Sequence, residues 1–140
     1  MRILLSLFVV VMFVFLSGGC RKNSAVSGIV TFPDGTPLTV GQVVFETPDF
    51  STTGRIQADG SYQMGTYKVD DGIPKGKYRV SIQNVMQVQE DWSRGPNVPP
   101  ITIFPKEWPI DKKFTSPGTS GLTCEVKGRT KYDITVEKPQ

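Results

Sequence analysis

Apolar and polar residues alternate along most of the chain beyond residue 25, and this period of two is typical of half-buried β-strands. The clearest run is 76–83, in which Tyr78, Val80 and Ile82 share one face while polar and charged residues occupy the other. Comparable alternation occurs at 26–32, 42–46, 56–58, 62–64, 122–126 and 132–136. No segment from residue 25 onward shows a helical period with capping residues, so the pattern predicts an all-β domain.

Turn-forming residues separate the predicted strands. The dipeptide Asp59-Gly60 is the strongest hairpin signal in the chain, because two-residue reversals favour Asp-Gly. Residues 48–53 are interpreted as a polar loop, and Gly65 as a bulge after which Tyr67 would point inward. Seven or so strands joined in this way predict a single antiparallel β-sandwich.

The alternation stops between residues 84 and 121, a stretch that contains six prolines and both tryptophans, Trp92 and Trp108. Within it, Ile101 and Ile103 could form a short strand or an anchor. So long a connection is generally functional, packed on itself, or mobile. Loop tryptophans can stack on a sugar or anchor a partner, so Trp92 and Trp108 are the candidate ligand-binding residues. The alternative is that they pin the loop onto the sandwich.

The chain begins with a positive charge at Arg2, an apolar run over 3–16 and a group of small residues. This order is typical of a secretory signal peptide, which we assign to residues 1–19. A membrane-spanning helix is the competing interpretation, and it fails because a span needs roughly 18 or more apolar residues.

The end of this leader, Leu16-Ser17-Gly18-Gly19-Cys20, resembles the lipobox of bacterial lipoproteins. In that family the Cys thiol is acylated and the peptide is cut before it. Ser17 stands where the family prefers Leu, and the alternative is an ordinary signal peptide with a chance Cys near its end. Lipidation of Cys20 would make membrane lipid a partner and would place the protein at the cell envelope, on the periplasmic side or in the outer membrane.

The domain organisation expected from these features has three parts and one insertion. They are a lipoprotein signal peptide (1–19), a lipidated Cys and tether (20–24), and a β-sandwich domain (25–138) with a long proline-rich insertion loop (84–121).

Composition removes several classes of function. The formal net charge of +3 is small and evenly spread, which argues against nucleic-acid binding. The chain has no histidine, so Ser-His-Asp and Cys-His catalysis and imidazole-based metal sites are excluded. No alternating acidic loop supplies the oxygen ligands of calcium, and we expect no metal or cofactor. If Cys20 carries lipid, Cys124 has no disulfide partner, and its strand spacing indicates a small buried residue.

Four short motifs occur in order along the predicted strands: Val26-x-Gly28-x-Val30, Asp34-Gly35-Thr36-Pro37-Leu38, Asp59-Gly60-Ser61-Tyr62 and Gly76-Lys77-Tyr78-Arg79-Val80. Together they resemble the carboxypeptidase regulatory-like domains, and in particular small bacterial lipoproteins that carry one such domain. The resemblance implies a transthyretin-like, Greek-key β-sandwich and an extracytoplasmic role, with little chemistry. Transthyretin-like hydrolases depend on histidines and a C-terminal Tyr-Arg-Gly-Ser, whereas this chain ends in Glu137-Lys138-Pro139-Gln140.

These observations predict a membrane-anchored extracytoplasmic lipoprotein that is not an enzyme. Its β-sandwich would act as a binding or structural module, with a cell-envelope protein or glycan as partner. The alternative is a carbohydrate-binding module that uses the loop aromatics Trp92 and Trp108. Histidine-independent catalysis is the least favoured of the three hypotheses.

Overall fold

The computed structural model describes residues 23–68, 71–91 and 93–140. The predicted signal peptide, Cys20 and Trp92 lie outside these residues. In the described part no helix has the length and hydropathy of a membrane span. The elements, in chain order, are β1 (Val26–Thr31), β2 (Gln42–Thr47), β3 (Phe50–Arg55), β4 (Ser61–Gln63), β5 (Gly76–Gln83), β6 (Gln89–Asp91), β7 (Ile101–Ile103), a 3-10 helix (Lys112–Thr115), β8 (Leu122–Val126), β9 (Thr130–Lys131) and β10 (Ile134–Thr135).

Two four-stranded sheets form the sandwich, and a separate two-stranded ribbon consists of β6 and β7. One sheet has the antiparallel order β3-β2-β5-β8. The other has β1 at its centre, with β4 antiparallel on one side and β9 and β10 parallel on the other. The predicted all-β sandwich is therefore confirmed. The parallel pairing of the last strands with the first was not expected, because alternation gives the face of a strand and not its partner.

The alternating apolar residues form the core, as the pattern predicts. Tyr78, Val80 and Ile82 are each no more than 3% exposed. The ring of Phe45 lies 5.6 Å from that of Tyr78 and 6.1 Å from that of Tyr132, so aromatic contacts join both sheets. Burial of a side chain of this size contributes about 1.5–3 kcal/mol to stability.

The predicted polar loop at 48–53 is wrong, because β3 begins at Phe50. Its inward positions are Thr52 and Gly54, both buried, so the strand shows no apolar alternation. Gly54 is needed because a Cβ there would lie 2.5 Å from the carbonyl oxygen of Gln63. The Asp59-Gly60 turn forms, but it connects β3 in one sheet to β4 in the other.

The pairing with β1 is interrupted between β9 and β10, and this break lets both short strands lie against β1. At the break, the Tyr62 hydroxyl donates to the carbonyl oxygen of Tyr132 at 2.5 Å. The Asp133 carboxylate accepts the backbone N–H of Ile29 at 3.0 Å, in place of a ladder bond. Gly28 faces the same carbonyl group, and a Cβ at this position would overlap the carbonyl oxygen and lie 2.6 Å from the carbonyl carbon.

The insertion at 84–121 packs at both ends and projects in the middle. Val85, Ile110 and Phe114 are buried in the core, and the 3-10 helix packs against β5. In contrast, Ile103 of the β6–β7 ribbon is 47% exposed, and Phe104 just after it is 69% exposed. A proline has no backbone N–H to donate to the hydrogen bonds between strands. The proline-rich middle of the insertion therefore forms a short ribbon outside the two sheets.

Substitution of Gly28 by Ala tests the contact between the first and last strands. We expect Gly28→Ala to lower the free energy of unfolding by about 2–4 kcal/mol, because the new Cβ cannot fit without moving backbone. Urea denaturation measures the loss. Gly128→Ala is the matched control, since nothing lies within 4 Å of a Cβ at that turn position, and it should cost about 0.5 kcal/mol or less. Equal stability of the two variants would contradict the expected clash.

Candidate functional site

The sandwich has two ends that differ in what they present. Ser24 forms a bridge with Ile73 at the end where β1 and β5 begin. The predicted tether therefore meets the domain at this end. Phe32 and Lys138 follow β1 and β10 at the opposite end. The β6–β7 ribbon also leaves from the opposite end, because it follows β5.

A groove of about 850 Å³ lies at the end away from the tether. Aromatic, charged and proline residues line it: Phe32, Glu107, Trp108, Pro109, Asp111, Lys112, Lys138, Pro139 and Gln140. Trp108 is half-buried and packs against the core. The Lys112 ammonium lies 5.4 Å from the centre of its ring, and Lys138 lies 5.5 Å from the ring of Phe32. Such cation–π contacts hold both lysines beside the groove.

The wall of this groove is attached to the C-terminal strand. Asp111 donates its backbone N–H to the carbonyl oxygen of Glu137 at 2.8 Å, and its carboxylate caps the 3-10 helix by accepting the N–H of Lys113. Lys113 pairs with the Glu137 carboxylate at 2.5 Å, and this hydrogen bond raises the lysine pKa. Trp108 thus both pins the loop and lines a groove, while Trp92 lies outside the described residues. Whether the two tryptophans share one site stays a prediction.

A second cleft, of about 500 Å³, lies where the edge strands β3 and β4 meet. Its described lining residues include two cations, Arg55 and Lys68, but no Asp or Glu. Tyr67 stands beside it with 90% of its surface exposed, so the prediction that this side chain points inward is wrong. Because residues 65–69 were predicted to alternate as in a strand, the sequence did not indicate this cleft. The run Thr66-Tyr67-Lys68 also gave no sign of a binding site.

Asp71 holds the turn beside this cleft. Its carboxylate accepts the backbone N–H groups of Thr66, Tyr67 and Lys68, the last two at 2.9 and 3.2 Å. These hydrogen bonds, led by that of Thr66, lower the pKa of Asp71 below its ordinary value. Gly65 completes the turn, since a Cβ there would overlap the carbonyl oxygen of Lys68.

Cys124 lies in β8 and is a free cysteine among the described residues. The thiol is buried, as expected, and burial raises its pKa, which keeps it protonated and weakly nucleophilic. In residues 23–68, 71–91 and 93–140, no three Cys, Asp or Glu side chains converge as metal ligands.

Asp71→Asn tests the hold of the carboxylate on the turn. An acid whose folded pKa is lowered stabilises the fold above its unfolded pKa, and this stabilisation is lost as pH falls through the folded value. We therefore expect the variant to be less stable than the natural protein at pH 7. The difference should shrink below pH 3.8, the ordinary Asp value. Urea denaturation across this pH range measures it.

Asp49→Asn is the control for this experiment. Asp49 is an exposed residue of the turn between β2 and β3, and its substitution should change stability little at pH 7. A constant deficit of Asp71→Asn at all pH values would mean that the charge does not stabilise the turn.

Neither a protein-family model nor a curated protein sequence matches this chain. Among solved structures, the chain is similar to a DUF3823 family protein from Bacteroides ovatus, with 17% identity and a TM-score of 0.42. The similarity covers 81% of this chain and 44% of that one, so it spans less than half of the longer protein. The description of the fold as a β-sandwich comes from the strand pairing within this chain.

Proposed function

We propose that this protein is a lipoprotein held on a membrane by acylated Cys20, whose sandwich is a non-catalytic binding or structural module of the carboxypeptidase regulatory-like kind. The observation that carries the proposal is the arrangement of the two ends. Ser24 fixes the start of the domain at one end, and the groove at Trp108 lies at the other. An anchor at Cys20 would leave that groove facing away from the lipid.

The end with the groove also presents apolar surface that a partner could cover. Ile101 and Ile103 are 41% and 47% exposed, and Phe104 is 69% exposed. Large apolar side chains grouped on a projecting ribbon are typical of interaction surfaces. A cell-envelope protein or glycan that approaches from the side away from the membrane is the partner that this arrangement favours.

The anchor is tested by Cys20→Ser. Each buried methylene of an acyl chain contributes ~0.8 kcal/mol, so loss of the chains should release the protein or leave an unprocessed precursor. Membrane fractionation and labelling with a palmitate analogue measure the change. Cys124→Ala also removes one thiol but should keep the label and the membrane association. An unmodified mature N-terminus in the natural protein, seen by mass spectrometry, would contradict the anchor.

Carbohydrate binding through the loop aromatics is the second candidate function. The groove offers the indole of Trp108 and the ring of Phe32 beside acidic and basic side chains. Aromatic faces next to hydrogen-bonding groups suit a sugar ring, which has both apolar and hydroxyl surfaces.

Glycan-array binding tests this second function. If the groove binds sugars, Trp108→Ala combined with Trp92→Ala should abolish binding to a glycan that the natural protein retains. Phe104→Ala is the control, because it removes an exposed aromatic ring of the same insertion outside the groove. Retention of the glycan by the double variant would reject the loop aromatics as the binding residues.

A further inference from the structure

We propose that the cleft between β3 and β4 is a binding site for an acidic saccharide, recognised by Arg55, Lys68 and Tyr67. The proposal deepens the binding role described above by naming a second site and its ligand class. It requires neither the lipid anchor nor the groove at Trp108, so it can fail independently of both.

The cleft is formed by two edge strands that belong to different sheets. Their backbones approach closely at Gly54 and Gln63, because a Cβ at Gly54 would lie 2.5 Å from the carbonyl oxygen of Gln63. The turn at 65–68 closes one end, and the Thr52 hydroxyl donates to the carbonyl oxygen of Gly65 to hold that turn against β3. The resulting volume of about 500 Å³ falls within the range of roughly 300–1,000 Å³ that is usual for small-ligand pockets.

The charges of the cleft favour an anion. Arg55 and Lys68 contribute two positive charges, and none of the described residues that line the cleft carries a carboxylate. Elsewhere in the described residues, cations such as Arg79 and Lys113 form salt bridges with Glu46 and Glu137. Neither cation of the cleft forms such a bridge within that part of the chain. A guanidinium fork matches the two oxygens of a carboxylate, so Arg55 suits a carboxylated ligand in particular.

Lys68 forms no salt bridge with the nearby Asp71 among the described residues. The two lie close enough for the lysine to lower the pKa of the acid. Both carboxylate oxygens of Asp71 already accept backbone N–H groups of the turn. The ammonium of Lys68 is exposed and remains able to contact a ligand in the cleft.

The remaining lining distinguishes a saccharide from a simple anion. The Thr53 hydroxyl and the Gln57 amide line the cleft and can bond to sugar hydroxyls. Tyr67, 90% exposed, offers a ring face on which a pyranose can pack. An inorganic anion would use only the two cations, whereas a sugar acid uses the charge, the polar groups and the ring together.

The site is held in shape before a ligand arrives. The turn that carries Tyr67 and Lys68 is fixed by three N–H bonds to Asp71 and by the tight backbone at Gly65. A recognition surface that is already ordered loses little conformational entropy on binding. Because hydrogen bonds to Asp71 hold the turn, Tyr67 can remain exposed on it without packing against the core.

Isothermal titration calorimetry on the full chain, purified from membranes in detergent, tests the proposal. The probes are oligogalacturonate and oligoguluronate, with methyl-esterified oligogalacturonate as a neutral ligand of the same shape. We expect at least one acidic oligosaccharide to bind, and the ester to bind about tenfold more weakly, the effect of one charge-assisted hydrogen bond.

Two variants test the residues. Arg55→Gln and Tyr67→Ala should each weaken binding of the acidic oligosaccharide about tenfold. Arg79→Gln removes the same charge from the solvent face of β5, and Trp108→Ala alters the other groove; both should bind as the natural protein does. Unchanged thermal unfolding of Arg55→Gln and Tyr67→Ala separates loss of contact from loss of fold.

Four outcomes would overturn the proposal. The first is that neither acidic oligosaccharide binds more tightly than about 1 mM. The second is equal binding of acid and ester, and the third is an equal effect of Arg79→Gln and Arg55→Gln, which would indicate attraction by net charge alone. The fourth is that inorganic phosphate displaces the saccharide at equal concentration, which would assign the cleft to simple anions.

Discussion

The close approach of the last strands to the first strand determines how this molecule is assembled. β1 is the centre of its sheet, and β9 and β10 can pair with it only because Gly28 leaves room for the backbone of Tyr132. The Tyr62 hydroxyl and the Asp133 carboxylate then satisfy the groups that the break in this pairing would leave open. A buried polar group without a partner is costly, so the partly buried hydrogen bond from Tyr62 stabilises the break.

This parallel pairing also decides what lies at each end of the sandwich. Because β10 runs beside β1 in the same direction, Lys138 emerges next to Phe32 and contributes to the groove at Trp108. The insertion between β5 and β8 supplies the opposite wall and is held by Ile110 and Phe114 in the core. One end therefore carries the start of the domain, and the other carries the features suited to a partner.

The groove and the cleft differ in their electrostatics although both are open and partly aromatic. The groove contains acidic and basic side chains in equal number, with its lysines beside aromatic rings. Among the described residues that line the cleft, the two charged ones, Arg55 and Lys68, are both positive. A partner surface that is neutral or of mixed charge suits the groove. An anion gains most from the cleft, because the described residues of the cleft supply no negative charge to pair with its cations.

The sequence alone determined the all-β class, the core positions of strands such as β5 and the turn at Asp59-Gly60, because a period of two assigns each side chain to a face. It also contains the predicted leader and Cys20, on which the proposed anchor depends. The tertiary structure decided which strands pair, since alternation contains no information on partners. It alone revealed β3, whose inward residues are Thr52 and Gly54. It likewise brought Arg55 beside Lys68 and turned Tyr67 outward, because these positions depend on how the edges of two sheets meet.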